Sequence, residues 1–248
     1  MDNEKIEIKN ISKSYTAKLS DSVVRNFNFS CQIGDIVSII GPSGCGKSTL
    51  LKMLGNIIEP SSGSILYNNQ DISLLRKNHK IGWISQFPTL LKNRTVEENI
   101  RLPLEIIGCV AKNISSLLDK VGLKGDENKY PFELSGGMKQ RVSFAQSMSY
   151  FPKLLLLDEP FSALDEITRE KMQSELLIVA RRITPAIFFV THSVEEAVFL
   201  ANYVIIMNKN GTISKIKTIN KKIDFQDDFR SSQEFFKQVG NIKNILLN

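Results

Sequence analysis

Eight consecutive residues near the front of the chain have the types and spacing of a phosphate-binding loop. They read Gly41-Pro42-Ser43-Gly44-Cys45-Gly46-Lys47-Ser48 and fit the pattern G-x-x-x-x-G-K-S. The loop follows an apolar run and opens a helical run at Thr49, which is the context that the pattern requires. Glycines let successive backbone N–H groups turn toward an anion at the positive end of a helix. We therefore expect this loop to hold the phosphates of a nucleotide, with Lys47 at the terminal phosphates and Ser48 on Mg²⁺.

Two carboxylates follow a second apolar run. The stretch 154–157 carries no charge and leads into Asp158 and Glu159, which is typical of a strand that is buried on both faces and ends at a ligand site. Asp158 is placed to hold Mg²⁺, directly or through water. Strand alternation points Glu159 to the other side, where it would polarise an attacking water. Alone, such a pair more often caps the next helix, but the phosphate loop upstream favours catalysis.

Two further polar residues stand where apolar strands end. Gln86 follows the run 80–85, and His192 comes shortly after the run 186–190. The amide of Gln86 is able to contact Mg²⁺ through its oxygen and to orient water, and His192 is expected at the γ-phosphate. The plainer alternatives are an ordinary loop residue for Gln86 and a structural histidine for His192. His79 lies in a polar stretch and is given no role.

A second glycine-rich segment lies past the middle of the chain. It reads Leu134-Ser135-Gly136-Gly137-Met138 and leads into a helical run. The hydroxyl of Ser135 and the adjoining N–H groups would form another anion site at the start of that helix. Two phosphate-type segments in one chain suggest a nucleotide site that is shared.

The order of these motifs resembles the ATP-binding cassette (ABC) ATPases, which are the nucleotide-binding subunits of ABC transporters. The resemblance spans almost the whole chain and rests on GPSGCGKST at 41–49, Gln86, LSGGMKQR at 134–141, LLLLDEP at 154–160, SALD at 162–165 and His192. It implies an enzyme that hydrolyses ATP with Mg²⁺. It also implies a head-to-tail dimer, in which the Ser135-Gly136-Gly137 loop of one copy covers the γ-phosphate held by the phosphate loop of the other. Asp165 then belongs to the nucleotide-binding residues.

The resemblance adds one contact and shows one departure. Family members place an aromatic residue upstream to stack on adenine, and Tyr15 stands at the matching position. The alternative for Tyr15 is an aromatic at a strand edge. Met138 stands where many relatives have Gln, although importer subfamilies often have Met there. The C-terminal tail and the two signature stretches look like those of the nitrate, sulfonate, taurine and bicarbonate group of subunits.

The alternating patterns, taken with this resemblance, predict an α/β fold. We expect a P-loop (RecA-like) core sheet, an N-terminal antiparallel β subdomain from about Ile6 to Ile33, and a helical subdomain inserted over about 87–152. A capping box, Thr95 with Glu98, begins the first inserted helix. The whole chain, 1–248, is expected to be one domain.

Two further segments carry predictions about surfaces. Residues 231–247 predict an amphipathic C-terminal helix that starts at a serine cap. The apolar stretch 87–91 follows Gln86 directly and is the rim on which a cytoplasmic helix of a membrane subunit would dock, unless it packs internally.

Composition excludes several classes of protein. At 42% apolar residues, 248 residues can bury a full core. No apolar run approaches the roughly 18 residues of a membrane span, and the N-terminus lacks the core of a signal peptide.

Cys31, Cys45 and Cys109 are odd in number and widely spaced, which indicates neither a disulfide framework nor a zinc site. If Cys45 is exposed, thiol reagents should block ATP binding. The net charge of +6 suggests an anionic neighbour or simply a solvated surface.

These features favour the ATPase subunit of a bacterial importer, peripheral to the cytoplasmic face of the inner membrane. Its expected partners are a second copy of itself, integral membrane permease subunits and, indirectly, an external solute-binding protein. One alternative is the ATPase of an exporter or lipid-handling system. Another is a soluble ABC ATPase that acts on nucleic acid or ribosomes. Such relatives usually add a second cassette, coiled coils or zinc-binding cysteines, so no nucleic acid partner is expected.

Overall fold

A computed structural model describes residues 4–16, 21–109, 114–162, 164–183, 185–219 and 228–247. Ala163, the second residue of the SALD motif, lies outside the described residues, as do the first three residues of the chain. The strands are β1 Lys5–Lys13, β2 Val24–Gln32, β3 Ile36–Ile40, β4 Ser62–Tyr67, β5 Gln70–Asp71, β6 Ile81–Ile84, β7 Leu154–Asp158, β8 Ala186–Val190, β9 Tyr203–Met207 and β10 Ile213–Thr218. The helices are α1 Lys47–Leu54, α2 Ser73–Lys77, α3 Val96–Ile106, α4 Ile114–Lys120, α5 Gly136–Met148, α6 Glu166–Ile183, α7 Val194–Leu200, α8 Asp228–Ser231 and α9 Gln233–Leu247.

Six strands form the central sheet, in the order β10-β9-β3-β8-β7-β6. The five strands from β9 to β6 are parallel to their neighbours, and β10 adds an antiparallel edge. Every residue of β3 and β8 is buried. Apolar runs of this kind suit a parallel sheet because helices cover both of its faces. The arrangement places the carboxyl ends of β3, β6, β7 and β8 along one edge.

A second sheet of four antiparallel strands has the order β2-β1-β4-β5. The prediction of an N-terminal antiparallel unit holds for β1 and β2, which pair from Lys5 opposite Gln32. It was incomplete, because β4 pairs with β1 and β5 pairs with β4. Those two strands come after the phosphate loop in the chain, so local pattern alone does not reveal that they return to the first sheet.

Helices occupy the chain between β6 and β7. Among the described residues of this stretch are α3, α4, α5 and a short 3-10 turn at Pro131–Glu133, all within residues 87–152. The predicted capping box is present: Thr95 Oγ1 accepts from the N–H of Glu98, and Glu98 Oε2 accepts from the N–H of Thr95. Helices α3 and α5 pack against each other. Exposure in the predicted rim 87–91 is mixed, because Phe87 and Leu91 are exposed while Leu90 packs against the core.

The predicted C-terminal helix is α9, and the short helix α8 precedes it. Ser232 separates α8 from α9 and caps the second helix, with its Oγ accepting from the N–H of Phe235 at 3.1 Å. Phe235, Val239 and Ile242 are buried, so α9 is amphipathic as predicted. It packs on α7. No helix among the described residues has the length and apolar character needed to cross a bilayer.

Candidate active site

The phosphate loop joins β3 to α1, and its glycines are required by close backbone neighbours. A Cβ on Gly46 would lie 2.4 Å from the carbonyl oxygen of Val23, and one on Gly41 would lie 2.6 Å from that of Met207. Gly46 also has φ +99°, in the left-handed region. The loop opens onto a pocket of about 280 Å³. The lining residues are Val23, Ser43, Gly44, Gly46, Lys47, Ser48, Thr49 and Glu159.

Lys47, Ser48 and Asp158 form the polar floor of this region. Nζ of Lys47 donates to the carbonyl oxygens of Gly41 at 2.8 Å and Pro42 at 2.9 Å, so its charge lies against the loop. Oγ of Ser48 donates to Oδ1 of Asp158 at 3.1 Å. Burial raises the pKa of Asp158, and the charge of Glu159 adds to the rise. A hydroxyl beside a partly desolvated carboxylate suits Mg²⁺, which prefers oxygen ligands and would favour the ionised carboxylate.

Glu159 lines the phosphate-loop pocket, as a base acting on water beside the phosphates would have to. Its φ is +48°, so strand geometry ends there and the side-chain alternation with it. Oε2 of Glu159 lies 3.5 Å from Nδ1 of His192. A non-glycine residue in this conformation stores strain of about 1–3 kcal/mol, a feature that clusters at functional sites. The structure thus brings together the loop, the acid and the histidine.

Gln86 and Tyr15 lie at the margins of the same edge. Ile84 of β6 pairs with Leu157 of β7, so Gln86 and Glu159 each stand two residues beyond paired positions on adjacent strands. Gln86 is half-buried. Tyr15 is 65% exposed, and its hydroxyl lies 3.5 Å from Oγ1 of Thr49, at the first turn of α1. An exposed ring beside the phosphate loop is available for stacking.

Cys45 is buried, with only 1% of its surface exposed, and its Sγ lies 3.9 Å from Nζ of Lys47. The condition attached to the thiol prediction, exposure of Cys45, is therefore not met. Cys109 is exposed and Cys31 is buried. Burial, reinforced by Asp35, raises the pKa of the Cys31 thiol to about 12. A thiol reagent applied to this protein should meet Cys109 first.

The second glycine-rich segment faces solvent. Oγ of Ser135 accepts from the N–H of Met138 at 3.2 Å and so caps α5. Ser135 and Gly136 are exposed. Asp165 is exposed as well and caps α6, accepting from the N–H of Thr168 at 3.0 Å, and this hydrogen bonding lowers its pKa. In the described part of the chain, none of these residues lines the phosphate-loop pocket of its own protomer.

Sequence reasoning missed three residues at this edge. The carbonyl oxygen of Val23 lies against Gly46 of the phosphate loop. Arg169 and Glu196 form an ion pair near His192. Val23 has no signal in the sequence because the contact is made by its backbone. Glu196 had a visible but misleading signal. It stands three residues after Ser193, which fits a capping box, yet its carboxylate accepts from the hydroxyl of Thr191.

Known proteins with similar sequences are ATP-binding subunits of transporters. Residues 24–162 match the family model described as "ABC transporter". The aliphatic sulfonates import ATP-binding protein SsuB of Bacillus cereus is 38% identical over 239 residues, with 94% of each chain covered. The nitrate import ATP-binding protein NrtD of Synechocystis is 37% identical over 253 aligned residues, covering 97% of this chain and 94% of that one.

Solved structures show the same fold. The cbiO1 subunit of the cbiONQ ABC transporter complex from Clostridium perfringens superposes over the full length of both chains with a TM-score of 0.79 at 22% identity. The ATP-binding cassette MJ0796, a dimer bound to ADP and phosphate, has a TM-score of 0.73 at 28% identity over 87% of this chain. The predicted P-loop α/β fold and the ABC resemblance are both confirmed. The chain belongs to the ABC transporter family, and it is an ATPase that binds ATP with Mg²⁺.

Proposed function

We propose that this chain powers a bacterial ABC importer for small oxyanionic solutes of the sulfonate or nitrate kind. The observation that carries the proposal is the similarity, at 37–38% identity over at least 94% of this chain, to SsuB and NrtD, whose names state those imports. The protein would sit on the cytoplasmic face of the inner membrane as a peripheral subunit. It would serve permease subunits that receive their solute from an external binding protein.

Roles for the site residues follow from their places. Lys47 and the loop N–H groups hold the β- and γ-phosphates, and Ser48, Asp158 and Gln86 are the residues that would hold Mg²⁺. When bound, Mg²⁺ supplies positive charge that offsets the charge of the phosphate oxygens. Glu159, at the pocket wall, takes the proton of the attacking water. His192 sits 3.5 Å from that carboxylate and holds it and the γ-phosphate in place.

A second copy of the chain would complete the site. Ser135, Gly136 and Gly137 are at the start of α5, where exposed N–H groups form an anion site, but they lie outside the pocket of their own protomer. In a head-to-tail dimer these residues cover the γ-phosphate that the other copy holds, with Asp165 beside them. Tyr15 stacks on adenine. ATP then acts as the link between two copies.

The permease would dock beside Gln86. Phe87 is 66% exposed there. A groove of about 500 Å³ lies nearby between β6 and α3, lined in part by Trp83, Leu102 and Ile106. Exposed apolar side chains such as Phe87 are where a partner subunit could bind. Because Phe87 directly follows Gln86 in the chain, movement of the catalytic edge would be transmitted to the membrane subunit.

The experiment is to isolate the tagged protein from its native membranes and to identify what accompanies it. We expect a polytopic permease, and a Phe87→Ser variant should recover less of it. Phe236→Ser is the matched control, because Phe236 is 62% exposed on α9, at the other end of the chain. Recovery of ribosomes or nucleic acid without a permease would refute the proposal. A permease without any solute-binding protein encoded beside it would favour the exporter alternative.

A further inference from the structure

Glu196 is the one buried charged residue in the described part of the chain. It lies on α7 with 7% of its surface exposed, and burial raises its pKa. Three cationic or titratable groups face it: Arg169 from α6, His192 from the strand end before α7, and Arg230 from α8. Burying a carboxylate is costly unless partners satisfy it. The position of those partners therefore indicates what Glu196 does.

One carboxylate oxygen holds the segment that carries His192. Oε2 of Glu196 accepts from Oγ1 of Thr191 at 2.5 Å. The same Oγ1 accepts from the N–H of Ser193 at 3.0 Å. The two residues that flank His192 are thus joined to each other and to Glu196. Glu196 therefore holds the backbone from which the imidazole of His192 projects.

The other oxygen faces α6 and, through it, the loop after Glu159. Oε1 of Glu196 lies 3.7 Å from Nε of Arg169. That Nε is buried and has no hydrogen-bond acceptor among the described residues, so the ion pair balances it. An Nη of Arg169 donates to the carbonyl oxygen of Leu164 at 2.8 Å. The guanidinium therefore spans from Glu196 to the SALD loop, as its planar fork allows.

These contacts lead back to Glu159. Ser162, at the start of the SALD loop, donates from Oγ to the carbonyl oxygen of Glu159 at 2.9 Å. On the other side, the carboxylate of Glu159 lies 3.5 Å from Nδ1 of His192. The contacts begin at the main chain of Glu159 and run through Ser162 and Leu164 to Arg169 and Glu196. From Glu196 they run through the segment of His192 back to the side chain of Glu159. Glu159 and His192, which are proposed to handle water and the γ-phosphate, are thus joined by a series of hydrogen bonds and one ion pair, which we call the bridge.

We propose that Glu196 and Arg169 are positioning residues for ATP hydrolysis, which set His192 relative to Glu159 by joining the SALD loop to the histidine segment. The proposal rests on the roles given above to Glu159 and His192. It does not require either new residue to touch ATP. A small misplacement of reacting groups can lower a rate by roughly 10²-fold, so loss of the bridge can lower the rate of ATP hydrolysis measurably.

The test compares Glu196→Gln with Glu105→Gln in the full-length protein. Glutamine keeps the size of Glu196 and its contact with Thr191 but removes the charge that faces Arg169. We expect kcat for ATP to fall roughly tenfold to 10²-fold with KM unchanged. Glu105 is an exposed glutamate on α3 that pairs with Arg94 and contacts neither the SALD loop nor the histidine segment, so its variant should keep the original kcat. Equal kcat values for the two variants would overturn the proposal.

A second arm separates positioning from a general loss of structure. In a His192→Ala background, Glu196→Gln should lower kcat no further, because the histidine through which it acts is gone. An equal fold-loss in both backgrounds would contradict the bridge. Arg169→Lys keeps the charge without the fork and should give an intermediate loss, which provides the same comparison if Glu196→Gln fails to fold. If His192→Ala alone leaves kcat unchanged, the role of His192 fails first, and the bridge fails with it.

Discussion

The two glycine-rich segments of this chain differ in what requires their glycines. In the phosphate loop, a Cβ on Gly46 would strike the backbone oxygen of Val23 at 2.4 Å. At Gly136 the same atom would meet nothing within 4 Å, and at Gly137 only a methyl group of Thr168, at 2.8 Å. The protomer's own fold demands the first set of glycines but not Gly136. Glycine weakens a helix relative to alanine. Because the protomer's own fold does not require glycine at position 136, we expect the requirement to come from a partner outside the protomer.

The two segments also differ in what each can do alone. The phosphate loop has Lys47, the oxygens proposed for Mg²⁺ and Glu159 within one protomer. The segment from Ser135 to Gly137 is an exposed helix start that lies outside the phosphate-loop pocket described for its own protomer. We expect the first to bind nucleotide without help and the second to act only across a dimer. Four predictions follow this division, from the largest effect to the smallest.

Loss of the acid should separate binding from turnover. Glu159→Gln should lower the hydrolysis rate by about 10²–10⁴-fold, because a general base contributes about that much. ATP binding should persist, and the ATP-bound dimer should accumulate. Phosphate release, nucleotide binding and gel filtration with ATP measure the three effects. The exposed Glu59→Gln is the control. Turnover close to that of the unmodified protein would remove Glu159 from the role of base.

Blocking the exposed segment should stop hydrolysis without affecting the phosphate loop. Ser135→Arg is expected to lower the rate by at least roughly 10²-fold, because the group that covers the γ-phosphate cannot be placed. ATP affinity of the monomer should stay the same, and dimerisation should be lost. Ser116→Arg, another exposed serine on a helix of the same region, should change neither. Hydrolysis that survives in Ser135→Arg would refute the shared site.

Alanine at the two glycines should act on different quantities. Gly46→Ala should lower the free energy of unfolding by on the order of 1–3 kcal/mol, because of its left-handed φ and the neighbouring backbone. Gly136→Ala should leave that free energy unchanged or raise it by up to about 1 kcal/mol, while ATP-driven dimerisation weakens. Denaturant unfolding without nucleotide is the measurement. A similar loss of stability at both positions would mean that the exposed segment is also shaped by its own protomer.

The smallest effect concerns the pH dependence of stability. Burial raises the pKa of Asp158, so the folded state holds this proton at a pH at which the unfolded chain has lost it. The stability contributed by the protonated group is lost as pH rises through that window. Asp158→Asn should therefore equal or exceed the original protein in unfolding free energy at pH 7, by no more than about 1 kcal/mol, with a difference that shrinks on acidification. A less stable Asp158→Asn at pH 7 would contradict this sign, whatever happens to Mg²⁺ binding.

Sequence by itself determined the parts of this protein whose chemistry is local. The phosphate loop was readable because its glycines, lysine and serine act through consecutive backbone and helix geometry. The buried strands were readable because they are uninterrupted apolar runs, and the capping box was readable because its two partners are three residues apart. The roles of Gln86 and His192 were inferred only from the strands that they end. Each of these signals lies within about ten residues of chain.

Only the tertiary structure decided the features that depend on contacts between distant segments. The left-handed backbone at Glu159, a residue that lines the phosphate-loop pocket, has no signal in the local sequence. The return of β4 and β5 to the first sheet depends on pairing with β1, far away in the chain. The bridge through Arg169 and Glu196 joins two helices and two loops. No local pattern marks such contacts, because the physical requirement on each residue comes from a neighbour that only folding supplies.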